Sequence, residues 1–212
     1  MHKISSISKI NYYLALLLLF PLFKLCHQIF NKIYPEIDSQ IQLTIQEKRI
    51  LILDIFFKIT YQIGGAYITG SIVLMALIML LYKRYWAEAK ALVVATLGII
   101  ILIDEILKPF FDRRRPPKPR LVDDLSWDSF PSGHAAGSLV FYFYLSFVLA
   151  AQYPQSAKYI YAVATILILI IGFGSIYVNA HWATDILAGY LFGYIWLLVS
   201  LTFLKFLSRK KT

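Results

Sequence analysis

The sequence predicts an all-α fold, an integral membrane six-transmembrane-helix bundle. Three observations predict it. Of 212 residues, 59% are hydrophobic and only 16% charged, where soluble domains carry about a quarter charged residues. The mean hydropathy is +0.65, an excess of apolar surface that needs a solvent other than water. Apolar runs recur near 10–28, 62–82, 90–107, 135–152, 159–178 and 185–206. Each is close to the roughly 20 residues that cross bilayer hydrocarbon as a helix.

Taken in order, the first run follows Lys3 and Lys9 and has no small-residue cleavage site after it, so it reads as an uncleaved first span. Its Cys26 is the sole cysteine, which rules out an internal disulfide. Residues 31–49 are polar and contain a proline, as suits a loop or a short amphipathic element. In 50–61, Asp54 and Lys58 are four apart among aromatics, which predicts a helix lying at the interface and leading into the second span. The chain then divides into 1–61, a first transmembrane helix plus outer loop and interfacial helix, and 62–212, a core of five further transmembrane helices. Trp86, Trp127 and Trp182 read as interface anchors.

The net charge of +9 does not point to nucleic acid, because the cations sit in short segments between apolar runs with no nucleic-acid motif. Anionic lipid headgroups are the simpler partner, and no obligate protein partner is evident. With six spans, Lys3, Lys9, Lys83, Arg84, Lys90, Lys158, Lys205, Arg209, Lys210 and Lys211 all fall on one side. The positive-inside bias makes that side, with both termini, cytoplasmic. One segment defies the bias. Lys108–Arg120, KPFFDRRRPPKPR, carries six cations and one acid on the outer side, and so calls for a local reason. Asp123, Asp124 and Asp128 offset part of its charge. Asp104, four residues before Lys108, can position that lysine, although acids at span ends are more often simply interfacial.

Two further patches reach the same face. In FPSGHAAGS, Phe130 to Ser138, a Ser-Gly pair opens the fourth span. Free N–H groups and the helix dipole there favour an anion, although Ser132 also reads as an ordinary cap. In GSIYVNAHWATD, Gly174 to Asp185, His181 and Asp185 share a helix face. Alone the pair reads as an interfacial histidine bonded to its neighbour. Topology changes that reading. Spans four and five form a hairpin, so His134 and His181 return to one level, where Lys108–Arg120 also arrives. Two histidines, a carboxylate, a helix N-terminus and several cations suit phosphoryl transfer. One imidazole attacks, the other serves as acid, and the cations hold the oxygens. No cysteine or carboxylate cluster suggests a metal or another cofactor.

These residues resemble the type-2 phosphatidic acid phosphatases, the lipid-phosphatase branch of the superfamily that also contains vanadium haloperoxidases. The family's K-x6-R-P is matched by Lys108 through Arg115-Pro116, its P-S-G-H by Pro131-Ser132-Gly133-His134, and the end of its S-R-x5-H-x3-D by His181 and Asp185. The resemblance implies that His181 attacks phosphorus to give a phosphohistidine, Asp185 orients it, and His134 protonates the leaving oxygen. It implies that Lys108, Arg115, Ser132 and the Gly133 amide bind phosphate, and that no metal is needed. The substrate would be a lipid phosphate or diphosphate, and residues 62–212 would be the phosphatase core. Polyprenyl diphosphate, phosphatidate, phosphatidylglycerol phosphate and phosphorylated lipid A all fit, cleaved at the periplasmic or extracellular face of a cell membrane by a multi-pass protein.

One position departs. The family's Ser-Arg pair falls on Gly174 and Ser175, so Ser175 is expected at the substrate, where a serine can donate one hydrogen bond but has neither charge nor a bidentate fork. Losing such a contact costs about 3–4 kcal/mol in the transition state. Arg113, Arg114, Lys118 or Arg120 can substitute only by reaching the same pocket. The departure keeps two alternatives open: a non-catalytic member that binds phosphorylated lipids, and a phosphotransferase using another acceptor in place of water. A transporter would place ionisable residues near mid-span; here they lie near span ends.

Overall fold

A computed structural model describes residues 8–123 and 128–209. Lys3, Asp124, Trp127, Lys210 and Lys211 lie outside the described residues, as does the side chain of Arg209. Helices α1 (Lys9–Phe30), α2 (Glu36–Glu47), α3 (Leu51–Ile63), α4 (Ala66–Tyr82) and α5 (Trp86–Ile100) come first. A π-helical segment, Ile101–Leu107, joins α5 to the short α6 (Lys108–Phe111). A long loop leads to α7 (Gly133–Gln152), α8 (Ala157–Tyr177) and α9 (Ala183–Arg209). The described residues form no strand, only an isolated antiparallel bridge between Arg114 and Asp128.

Four of the helices, α1, α7, α8 and α9, are long and apolar enough to cross a membrane singly. The pair α3 and α4 passes together, bent by 44° at the break. The cause is Gly64-Gly65, where the α3 ladder ends and the N–H of Gly65 returns to the carbonyl of Gln62. The expected second span therefore starts inside a kinked element rather than at residue 62. The expected third span is also different. With 15 residues, α5 is only about 22 Å long, and its helical path reaches Phe111 only through the π-helical segment. Within residues 31–49, Glu36–Glu47 form helix α2. Asp54 pairs with Arg49 at 3.3 Å and accepts from the Tyr177 hydroxyl at 2.9 Å, so these, rather than Lys58, are its partners.

The core lies where α5, α7 and α9 pack, around Leu92, Ile99, Val140, Phe141, Tyr144 and Leu204. Small residues let α9 approach α7 closely. A Cβ on Gly189 would come within 2.6 Å of the Ser132 carbonyl oxygen and 2.9 Å of the Ala135 Cβ. Four residues on, a Cβ on Gly193 would sit 3.0 Å from the Ala136 oxygen. This is the small-xxx-small packing of membrane helices. Gly189→Ala is therefore expected to cost about 1–3 kcal/mol by overpacking, read as earlier thermal unfolding in detergent. Gly137→Ala, with open space around its Cβ, is the control, and equal melting of the two variants would remove the close-approach explanation.

Polar tethers fix the remaining helices. Trp196 of α9 donates to the Val94 and Ala95 carbonyls at 3.2 Å, and Tyr144 of α7 donates to the Glu88 carbonyl at 2.6 Å. Tyr190 of α9 reaches the Ile168 carbonyl at 2.7 Å. Helix α1 runs along α9 with Tyr12 on Thr202 at one end and Leu25 and Ile29 near Phe111 and Phe130 at the other. Most other α1 side chains are exposed and apolar, such as Leu17 and Phe20, which suits lipid contact. These contacts bring the end of α6, the starts of α7 and α9 and the end of α8 to one end of the bundle.

Candidate active site

At that end the loop between α6 and α7 is sewn onto the turn between α8 and α9. Helix α8 stops at Tyr177, and Asn179 takes φ 64°, a left-handed conformation that asparagine tolerates well. From there Asn179 Nδ2 donates to the carbonyls of Pro117 and Pro119 at 2.7 and 2.8 Å. The Leu121 N–H donates to the Val178 carbonyl at 3.0 Å, and the Ser129 N–H to the Arg113 carbonyl at 2.7 Å. The basic loop is thus fastened at several points.

His181 follows this turn and is 1% exposed. Its Nδ1 lies 2.9 Å from the Ser129 carbonyl and 3.5 Å from Asp185 Oδ2. Both are acceptors, so the proton belongs on Nδ1 and the lone pair on Nε2. The nearer partner is the carbonyl, not the carboxylate. Arg115 Nη1 sits 3.2 Å from Nε2 while donating to the Ala180 carbonyl at 2.7 Å. Burial, then the cations Arg115 and Lys108, push the His181 imidazole well below the usual histidine range. A histidine kept neutral in the fold, but free to protonate near pH 6.5 when unfolded, makes the protein lose stability as pH falls below about 6.5. Burial also lowers the Arg115 guanidinium from its ordinary value.

His134, at the start of α7, stacks on Tyr61 of α3 with ring centroids 4.1 Å apart. Its Nε2 is buried and finds no hydrogen-bond partner among the described residues. The two histidine rings stand 6.4 Å apart, centroid to centroid. Ser132 is fully buried and caps α7, accepting from the Ala135 N–H at 3.3 Å, while its own N–H donates to the Asp185 carbonyl at 3.0 Å. Gly133 opens α7 beside Asp104, whose Oδ1 would lie 3.5 Å from a Cβ there. Asp104 also holds Lys108 Nζ at 2.5 Å, so this acid is a partner of Lys108 rather than simply interfacial.

Ser175 is buried, and its hydroxyl donates to the Ile171 carbonyl at 3.0 Å inside α8. That proton is spent within the helix. Its carbonyl receives the N–H groups of Ala180 and His181, so Ser175 shapes the turn that presents His181.

The four surplus cations go different ways. Arg113 is 2% exposed and bonded to Asp38, Asp185 and Thr184, so its charge is already balanced. Arg114 and Lys118 are exposed. Arg120 folds back onto the Pro116 carbonyl through Nε at 2.9 Å and through Nη2, yet its charge bears on Arg115. Trp182 is half-buried rather than a free anchor: its Nε1 donates to the Arg114 carbonyl at 2.9 Å and its ring lies against Arg113.

Sequence reasoning missed Asp38, Arg113 as a buried link, the Ser129 carbonyl, Tyr61 and Thr184. Beside them a cleft of about 330 Å³ lies among Ile45, Lys48, Phe57, Phe173 and Tyr177 of α2, α3 and α8. Chemically, the site offers one imidazole lone pair, a second imidazole across a short gap, and cations flanking both.

The chain is similar to known proteins in sequence and in fold. The model of the PAP2 superfamily matches residues 89–209. Phosphatidylglycerophosphatase B of Bacillus subtilis is 27% identical over 143 residues, 66% of this chain and 69% of that one. The crystal structure of the transmembrane PAP2-type phosphatidylglycerolphosphate phosphatase from Bacillus subtilis superposes with a TM-score of 0.81 at 21% identity. That match covers 89% of this chain and 94% of the other. Aquifex aeolicus LpxE superposes with a TM-score of 0.61 at 27% identity, over 77% of this chain and 94% of that one.

Proposed function

Since this chain belongs to the PAP2 superfamily, we propose that it is a metal-independent membrane phosphatase acting on a lipid phosphate or diphosphate. One observation carries the reading: the His134 ring, whose buried Nε2 has no hydrogen-bond partner among the described residues, stands 6.4 Å from the ring of His181, whose Nδ1 is already held by the Ser129 carbonyl. In this mechanism His181 Nε2 attacks phosphorus as the bond to the lipid oxygen breaks, and protonated His134 gives that oxygen its proton. Water then attacks the phosphohistidine, His134 takes the water proton, the P–N bond breaks, and inorganic phosphate leaves. Lys108, Arg115 and the Gly133 N–H hold the phosphoryl oxygens, with Ser132 at the mouth of α7.

We read α5, the π-helical segment and α6 as one crossing and the kinked α3–α4 pair as another, which makes six spans. We take residues 62–212 as the catalytic core, with the described residues of 1–61 packed against it. The basic positions Lys9, Lys83, Arg84, Lys90, Lys158 and Lys205 all lie toward the end of the bundle opposite the histidines. By charge bias that end is cytoplasmic, so the site faces the periplasm or exterior. The cleft beside Tyr177 has apolar walls and Lys48 at its rim, and it suits a lipid chain attached to the reacting phosphate.

The test is phosphate release from polyprenyl diphosphate, phosphatidate, phosphatidylglycerol phosphate and phosphorylated lipid A, with a chelator present. Release from at least one is expected. Binding without release would identify a lipid-binding member, transfer to an added alcohol in place of water a phosphotransferase, and loss on chelation a metal-dependent reaction. Arg120 is the surplus cation whose charge bears on Arg115, so Arg120→Ala is expected to raise KM about tenfold, with Arg114→Ala and Lys118→Ala within about twofold of the parent. Equal effects from all three would remove Arg120 as a stand-in for the missing family arginine. Because His181 stays neutral well into acid, the acid limb of kcat/KM assigned to it belongs below pH 6.5. A limb at or above 6.5 would contradict that.

A further inference from the structure

Helix α2 lies outside the segment matched by the family model, and it is built inside out. It exposes Ile37 and Leu43 but buries Asp38 and Gln42, at 2% and 4% exposure. Asp38 and Gln42 are four apart and share a face, and that face is pressed onto the candidate site. Gln42 Nε2 donates to the Ile176 carbonyl at 3.2 Å and to Asn179 Oδ1, and Asn179 in turn holds the basic loop.

Asp38 is the more consequential of the two. Its Oδ1 accepts the Thr184 N–H at 2.9 Å, and its Oδ2 accepts the Thr184 hydroxyl at 2.5 Å and Arg113 Nη2 at 2.7 Å. The other terminal nitrogen of Arg113 donates to Asp185 Oδ1 at 2.5 Å. Asp185 Oδ2 then accepts the Trp182 N–H at 2.9 Å and faces His181 Nδ1 at 3.5 Å. Tyr34 and Trp182 stack on the guanidinium, with centroids 5.2 and 5.4 Å away. One cation is thus divided between two carboxylates that would otherwise be buried side by side, and a buried charge of this kind persists only when paired.

We propose that Asp38 is a positioning residue for the reaction: by taking half of Arg113, it fixes Asp185 against His181 and leaves Asp185 part of its negative charge. The proposal rests on the phosphohistidine reading above. When His181 becomes cationic on attacking phosphorus, a carboxylate fully neutralised by its own arginine stabilises it poorly. Sharing that arginine with Asp38 keeps the field at His181 more negative.

The groups facing His181 are Lys108 from α6, Arg113, Arg115 and the Ser129 carbonyl from the loop, His134 from α7 and Asp185 from α9. Asp38→Asn keeps the shape and removes one negative charge behind this set. It is expected to lower kcat about 10–100-fold while KM stays within about twofold, because Asp38 does not touch substrate. The acid limb of kcat/KM is expected to move to lower pH, since the imidazole loses negative surroundings. A purely structural defect scales the amount of active protein and leaves the limb in place. If kcat is unchanged, or falls only with the folded fraction at an unmoved limb, the proposal is wrong.

Should Asp38→Asn not fold, Thr184→Val removes the hydroxyl that donates to Asp38 and accepts from Arg113 without changing any charge. It is expected to slow kcat at constant KM, and parent-like turnover would overturn the proposal. The parent and His181→Ala run alongside. A parent without phosphatase activity, or an active His181→Ala, would mean that the phosphatase reading itself has failed. Normal behaviour in both, with Asp38→Asn like the parent, would mean that only the role of Asp38 has.

Discussion

Replacing His181 with alanine is expected to remove phosphate release almost entirely, a loss on the order of 10⁴–10⁶-fold. The size follows from what remains. Ser132 is committed to capping α7, and the His134 ring stands 6.4 Å from that of His181, on the side assigned to the leaving oxygen. No other imidazole among the described site residues has its Nδ1 held by a backbone carbonyl, which leaves Nε2 without the proton. His134→Ala is expected to cost less, about 10²–10⁴-fold, because it removes proton transfer but leaves the attacking nitrogen. If His181→Ala retained activity within about tenfold of the parent, nucleophilic attack by this imidazole would be ruled out.

The second large effect concerns stability. Arg113→Met removes the only cation among the described residues bonded to both Asp38 and Asp185, which are 2% and 0% exposed. Breaking a buried ion pair by deleting one partner typically costs about 3–5 kcal/mol, because the remaining charge has nowhere to go. Here two carboxylates are stranded together, so the upper part of that range is expected, measured by thermal or denaturant unfolding in detergent. Adding Asp38→Asn and Asp185→Asn removes the stranded charges and is expected to recover much of the stability without recovering activity. An Arg113→Met protein as stable as the parent would show that the buried trio contributes nothing to the fold.

The site was only half legible in the sequence, and the division has a physical cause. Lys108, Arg115, the Pro131–His134 stretch and the His181–Asp185 pair stand at short spacings along the chain, so counting residues is enough to pick them out as candidates. The bond between Asp38 and Arg113 joins residues 75 apart, and no periodicity records such a contact. Residues 31–49 read only as a polar loop or a short amphipathic element. The one available signal was that Asp38 and Gln42 share a face beside a membrane, where the apolar residues turn outward instead. The Ser129 carbonyl is a backbone group and has no sequence signal at all.

The fold divides in the same way. Apolar runs located α1, α7, α8 and α9 closely because composition decides those. The kink between α3 and α4 was written in Gly64-Gly65, yet hydropathy alone ran straight through it. The π-helical segment, Ile101–Leu107, had no such mark. Its i→i+5 bonding adds an extra residue per turn and re-aims whatever follows, in this chain Lys108 and the basic loop. Asp104 then meets Lys108 at 2.5 Å, a pairing that four-residue spacing permitted but did not decide.

The most direct measurement is to trap the covalent intermediate. The detergent-solubilised protein is mixed with a ³²P-labelled lipid phosphate that it hydrolyses, quenched in alkali within milliseconds, digested and mapped. Acid-labile, alkali-stable label on the peptide containing His181, formed fast enough to account for turnover and absent from His181→Ala, is the expected result. Turnover with no labelled protein, or with label on any other residue, would contradict attack by His181.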